Sequence, residues 1–328
     1  MIKLNTNIDS LTSYLKSKNW LKEDEVITAV EKPGEGNMNF TLRVLTETRS
    51  FIIKQSREYV EKYPQVAAPA ERVLREAEFY ELIETVPALR EMMPKLVGLD
   101  RENSVMVMDD LGNGSDFTYL YQEGKVFLEE DLFAVIDFVA ALHTSISTDT
   151  CTYKITNCEM RELNHEHIFN YPYLKDNGIN LDVVLPGLQK EANVFKEDAA
   201  LKEEVQKLGK LYLEDGNILL HGDYFPGSWL ATVSGVKIID PEFCFFGLAE
   251  FEIGVTLAHL KMADQPKDII EKALERYKNL ADLNDELCYK YMAVEMLRRI
   301  IGLAQLPLEI DLKKRVELLT EAREILVN

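Results

Sequence analysis

The sequence predicts an α+β protein of two lobes, a small β-rich N-terminal lobe followed by a larger helical one. Three observations carry this. Residues 25–55 alternate apolar and polar side chains with strand periodicity, interrupted by glycine-containing and polar turns. After residue 112 the apolar spacing becomes helical. A length of 328 residues suits two lobes better than one small domain.

The N-terminal "MIKLNTNIDSLTSYLKSKNW" has the spacing of a short amphipathic helix and lacks the apolar core of a signal peptide. Strands follow near 25–31, 38–45 and 50–55; "TETRS" turns the second into the third. Residues 69–84, "PAERVLREAEFYELIE", form a helix with Pro69 in its first turn and Val73, Leu74, Ala77 and Tyr80 on one face. Two more strands, "KLVGLD" and "SVMVMDDL", complete a first lobe of residues 1–111, with the junction near 108–112. Residues 112–328 hold six strong helical segments, from "LEEDLFAVIDFVAALHTSI" to "DLKKRVELLTEAREILV". Their strand signals are confined to 217–220 and to a hairpin over 228–239, turned at Ser234-Gly235.

Composition narrows the function. Hydrophobic residues make up 46% and charged residues 28%, as in an ordinary globular protein, and no run of eighteen apolar residues occurs. The chain is expected in the cytoplasm. A net charge of −19 repels nucleic acid and anionic membranes but leaves room for a nucleotide that arrives with magnesium. Cys151, Cys158, Cys244 and Cys288 have no metal-ligand spacing.

The chemistry lies in an ordered set of motifs. "GEGNMNF" falls between two antiparallel strands, so it is neither a Rossmann turn nor a Walker loop. Its Gly34, Gly36 and Asn37 would let backbone N–H groups approach phosphates. Lys54 in "FIIKQ" shares a strand face with Ile52 and would reach the α and β phosphates, held by Glu76 or Glu78 of the next helix. Met108, Asp109 and Leu111, at the lobe junction, would offer backbone groups to an adenine. In "LLHGDYFPGSWLATVSGVKIIDPEF", acids stand at the ends of apolar strands, where an unpaired carboxylate is costly to bury. Asp223 would orient the attacking hydroxyl and accept its proton, with His221 bracing the loop. Asp240 would ligate Mg²⁺ through hard oxygens; Ser228 stands where kinases carry a magnesium-binding Asn, and Glu242 would hold a second ion or bind substrate. Trp229 would line a pocket or fill the core. Glycine hairpin, strand lysine, helix glutamate and these acids, in that order, are the parts of an ATP- and Mg²⁺-dependent phosphotransferase.

On "GEGNMNF", "IIKQSREYV", "VMVMDDL", "HGDYFPGS", "DPEFCFFGLAEFEIG" and "EMLRRIIGLA", the chain resembles the aminoglycoside phosphotransferase and choline kinase superfamily, and within it the methylthioribose kinases. The resemblance implies a protein-kinase-like fold, a homodimer, and phosphorylation of a small-molecule hydroxyl, that of 5-methylthioribose, in methionine salvage. It makes Asp223 the base, Asp240 and Glu242 the metal turn and Lys54 the phosphate contact, favours Glu76 over Glu78 as the partner of Lys54 through the "REA" pattern, and sets Arg298 and Arg299 at the substrate end of the cleft. Rival readings are an aminoglycoside, choline, ethanolamine or homoserine-type acceptor, or a pseudokinase without transfer activity. His165 and His167, two residues apart with no third ligand in view, read as loop or solvated residues and not as a metal pair.

Overall fold

A computed structural model describes residues 2–34 and 38–328. The strands are β1 (Ile27–Glu31), β2 (Phe40–Thr46), β3 (Ser50–Gln55), β4 (Tyr59–Val60), β5 (Tyr63–Ala67), β6 (Leu96–Asp100), β7 (Val105–Asp109), β8 (Ser115–Asp116), β9 (Ile218–Leu220), β10 (Trp229–Thr232), β11 (Gly235–Ile238) and β12 (Phe245–Gly247). The α-helices are α1 (Ile8–Ser17), α2 (Arg72–Ile83), α3 (Pro87–Arg90), α4 (Glu129–Ser145), α5 (Cys158–His165), α6 (Leu188–Lys196), α7 (Ala199–Leu213), α8 (Ala249–Met262), α9 (Lys267–Lys278), α10 (Asp285–Ile301) and α11 (Leu312–Val327). The arrangement is the two-lobe, protein-kinase-like α+β fold.

The first lobe is built on a five-stranded antiparallel sheet in the order β1-β2-β3-β7-β6. Strand alternation sorts its side chains between two cores. Val105 and Val107 of β7, with Phe51 and Ile53 of β3, face Leu11, Tyr14 and Leu15 of α1. Met106 and Met108 face the other way, into the core that holds Val73, Ala77 and Tyr80 of α2 and continues through the helical lobe. Lys54 pairs with Met106 across β3 and β7, so period two turns it toward α2 and away from α1.

In the helical lobe, Asp198, Asn284 and Asp311 each cap a helix (α7, α10 and α11) by accepting from the N–H three residues on. Helix α8 is buried on almost every side, and its buried Glu252 and His259 find polar partners inside. Two short sheets carry the chemistry-bearing turns: β9 pairs with β12, and β10 lies between β11 and β8. Several elements are additional to those the sequence predicts: the β4–β5 hairpin, α5, α6, β12 and a π-helical turn over Glu166–Asn170. They are short, and β5 contains Pro64, which breaks the strand signal. Among the described residues no helix is long and apolar enough to cross a membrane.

Helices α8 and α10 meet at Gly254, where an added Cβ would lie 2.7 Å from the Cys288 carbonyl oxygen and 2.8 Å from the Met292 nitrogen. Alanine is the better helix former by about 1 kcal/mol, yet here it must push two backbones apart. Gly254→Ala is expected to destabilise the protein by about 1–3 kcal/mol, read as a lowered urea midpoint at unchanged m-value; an unchanged midpoint would show that the helices separate freely.

Candidate active site

Lys54 is the meeting point of three elements. Its ammonium lies 2.7 Å from Glu76 Oε1 on α2 and also contacts Asp240, in the turn after β11. Burial works against the charge on Lys54, but the Asp240 and Glu76 carboxylates outweigh it and raise its pKa well above the ordinary lysine value. Glu78, two residues on, points away and pairs with Arg75 at 2.7 Å. Asp240 adopts a left-handed backbone, φ 64°, and its side chain is 47% exposed to the cleft.

Glu242 sits beside this cluster. Asn39 Nδ2 donates to its Oε2 at 2.9 Å, and Arg72 Nε lies 3.7 Å from the same oxygen. Burial, with the nearby Glu76 carboxylate, pushes its pKa up. Arg72 is buried and donates to the carbonyls of Arg57, Pro69, Met38 and Tyr59, so it ties the root of the glycine hairpin to α2. Gly34 is exposed. Gly36 and Asn37, expected at the hairpin tip, lie outside the described residues.

The loop after β9 is held by a buried carboxylate that the sequence reading missed. Glu252 of α8 accepts from the backbone N–H of His221 at 3.1 Å and of Gly222 at 2.7 Å. His143 Nε2 donates to it at 2.9 Å, while the Tyr277 hydroxyl donates to His143 Nδ1 at 2.7 Å. His221 itself donates from Nε2 to the Ile239 carbonyl at 2.9 Å, joining this loop to the Asp240 turn. Burial lowers its pKa, so the ring is neutral and structural. Ser228 Oγ donates to the Asp223 carbonyl at 2.7 Å, which commits its proton to the loop.

Asp223 faces the end of α10. Arg299 Nη2 is 3.7 Å from its Oδ1, and the guanidinium lies over the Phe225 ring at 5.0 Å. Burial raises the Asp223 pKa, and Arg299 and Arg298 oppose the rise. Both arginines are gripped by Glu295, which Arg298 Nη1 meets at 2.9 Å and Arg299 Nε at 2.6 Å. Although burial opposes it, Arg298 and Arg299 hold the Glu295 carboxyl well below the usual carboxylate range. Behind Glu295, neutral His259 donates from Nε2 at 3.1 Å and accepts from the Tyr121 hydroxyl at 2.6 Å.

At the lobe junction Met108 is buried in the core, and the Asp109 N–H is already bonded to the Lys95 carbonyl at 2.9 Å. Leu111 follows Asp110, whose carboxylate is pinned from β2: Arg43 Nε is 2.9 Å from Oδ2 and Nη2 is 3.0 Å from Oδ1. Arg43 also donates to the Gly112 carbonyl at 2.8 Å. Two expectations need correction. Trp229 has no exposed surface and stacks on Phe127 at 5.7 Å, so it fills the core under the loop and lines no pocket. His165 and His167 lie in helical turns, partly buried, not in a solvated loop.

The cleft therefore brings together a buried ammonium, two carboxylates at one turn, and a third carboxylate faced by an arginine. The carboxylates of Asp240 and Glu242 offer hard oxygens on one turn, which fits Mg²⁺, an ion bound by one or two protein carboxylates with phosphates and water completing its shell. Among the described residues no cluster of three or more His, Cys, Asp or Glu could hold a metal without such help.

The chain is similar to known proteins. The profile of the "Phosphotransferase enzyme family" matches residues 30–284. A methylthioribose kinase of Exiguobacterium sibiricum is 26% identical over 323 residues, covering 86% of this chain and 81% of the relative. Methylthioribose kinase 1 of Oryza sativa subsp. japonica is 27% identical over 252 residues; the match covers 71% of this chain and 56% of that relative. The crystal structure of choline kinase LicA from Streptococcus pneumoniae has the same fold, with a TM-score of 0.53 at 13% identity over 97% of this chain and 98% of that one.

The His259 ring gives a pH signature. Burial lowers its pKa from 6.5 to about 4. Between those values the unfolded chain binds a proton that the folded one refuses, so stability falls as pH falls through that window, by about 3 kcal/mol in total. His259→Gln is expected to flatten this segment of the stability curve measured by urea denaturation from pH 7 to 4. Parallel curves for the two proteins would assign the acid sensitivity elsewhere.

Proposed function

Since the chain belongs to the phosphotransferase enzyme family, as a small-molecule kinase of the aminoglycoside phosphotransferase and choline kinase superfamily, we propose that it transfers the γ-phosphoryl group of ATP to a hydroxyl of 5-methylthioribose. The observation that carries the acceptor class is the arginine pair beside Asp223. Two guanidiniums and the two carboxylates Glu295 and Asp223 balance in charge. Such a site suits a neutral, hydroxyl-rich sugar and gives a polycation nothing to bind. Two of the relatives named above carry the name methylthioribose kinase, which supports the same choice.

In this reading residues 1–111 hold the nucleotide and residues 112–328 the acceptor. Lys54, charged and oriented by Glu76, contacts the α and β phosphates. Asp240 and Glu242 hold Mg²⁺, which when bound offsets charge on the phosphate oxygens. The glycine-containing turn that begins at Gly34 would approach the phosphates, and backbone groups between Met108 and Leu111, other than the Asp109 N–H that Lys95 already holds, would meet the adenine. Asp223 would accept a hydrogen bond from the acceptor hydroxyl and take its proton onto a carboxylate oxygen as the new O–P bond forms and the bond from the γ-phosphorus to the bridging oxygen breaks, with ADP as the leaving group. Arg299 and Arg298 orient sugar hydroxyls and offset charge on the transferring group. His221 and Ser228 keep the Asp223 loop in shape.

The test is ADP release with MgATP against 5-methylthioribose, ribose, choline, homoserine and kanamycin. Turnover confined to 5-methylthioribose is the expected result. Turnover on a cationic acceptor would overturn the substrate, and silence across the panel with nucleotide still bound would overturn transfer to these acceptors. Arg299→Gln, which keeps a donor for Glu295, is expected to lower kcat/KM by about 10²–10³-fold with nucleotide affinity by calorimetry unchanged. An Arg299→Gln enzyme of normal activity would remove the arginine from the site.

A further inference from the structure

The turn that carries Asp240 and Glu242 has no regular secondary structure, yet two of its carbonyls are held by one residue outside the phosphotransfer motifs. Asn157 is buried at the start of α5, 85 residues before Glu242. Its Nδ2 lies 3.0 Å from the Glu242 carbonyl oxygen and 3.0 Å from the Cys244 carbonyl oxygen, so a single amide group spends both hydrogens on the backbone just past Asp240. The Asn157 backbone is left-handed, φ 45° and ψ 39°, a conformation that Asn adopts more readily than most residues. Its own carbonyl accepts from the Arg161 N–H at 3.0 Å and so begins the helix.

Other side-chain grips on this stretch come from the first lobe, among them Lys54 on Asp240. The Glu242 carboxylate is tied to Asn39 and Arg72 of the first lobe, whereas its carbonyl is tied to Asn157 of the second. Without Asn157 the turn would keep its tethers to the first lobe and lose one of its anchors to the lobe that carries Asp223. We propose that Asn157 is a positioning residue for the divalent-cation turn: by fixing the Glu242 and Cys244 carbonyls, it sets the direction in which the Asp240 and Glu242 carboxylates point. This rests on the reading of Asp240 and Glu242 as the residues that hold Mg²⁺.

The experiment measures binding, not turnover. A non-hydrolysable ATP analogue is titrated by calorimetry at increasing Mg²⁺, and ADP is titrated without divalent metal. Asn157→Gly keeps the left-handed backbone and deletes the amide; Asn157→Asp keeps the shape and turns donors into acceptors facing two carbonyls. The half-saturating Mg²⁺ concentration is expected to rise about tenfold or more in both, the scale on which residues that orient metal ligands act, with metal-free ADP affinity unchanged. If Asn157→Gly does not fold, Asn157→Asp carries the comparison. Asp240→Asn is run alongside. A raised Mg²⁺ requirement for Asp240→Asn with none for the Asn157 variants overturns the positioning role. An equal loss of metal-free and metal-loaded binding in the Asn157 variants makes the residue merely structural and overturns it too. No change in Asp240→Asn overturns the metal reading itself, and the positioning role with it.

Discussion

A lysine ammonium placed in an apolar interior is stable only where negative charge meets it, and Lys54 is met from both sides of the cleft. Glu76 arrives from α2 in the first lobe and Asp240 from the turn after β11 in the second. Much of the architecture follows from that requirement. The β3–β7 register turns Lys54 toward α2, and the apolar face of α2 seats Glu76 one turn before Tyr80. The β10–β11 hairpin then delivers Asp240 at the right height, and the Ile239 carbonyl beside it is held by His221. Charge compensation thus fixes how the lobes face each other.

Around this cluster the chain runs through segments without helix or strand, whose backbone groups still need partners. Buried side chains supply them. Glu252 receives the N–H groups of His221 and Gly222, Ser228 donates to the Asp223 carbonyl, and Arg72 collects four carbonyls around the hairpin root. The same economy holds at the acceptor end, where Glu295 serves two arginines and is itself backed by His259 and Tyr121. Each of these groups has polar partners in a low-dielectric setting, so the loops are ordered without regular secondary structure.

The parts of the site legible in the sequence are those whose meaning is local. Lys54 sits in a strand with clear alternation, and Asp223 and Asp240 end apolar strands where a carboxylate needs a reason to be. Glu76 could be told from Glu78 only by the phase of α2, because both fall within one turn. Glu252, Asn157, His143 and the Arg43–Asp110 pair were not legible, since each takes its meaning from a partner tens of residues away. Trp229 shows the converse: an aromatic after a Pro-Gly loop reads equally as pocket or core, and only the stacking of Phe127 on it and the tilted packing of Tyr224 against it decide for core. The short β4–β5 hairpin and the π-helical turn lack the length over which periodicity can be read.

The grip of Arg43 on the junction has a mechanical consequence. Asp110 is clamped to β2 through two oxygens, and the same guanidinium holds the Gly112 carbonyl, while the Gly112 N–H donates back to Asp110 at 3.0 Å. The peptide units from Met108 to Gly112 are therefore splinted to the small sheet. The chain just beyond Gly112 is bound instead to the helical lobe, through the short β8 that pairs with β10, so the change of allegiance between the lobes falls between Gly112 and Ser115. A ligand bound to the peptide units from Met108 to Gly112 would therefore be bound to the small sheet, and its position set by Arg43.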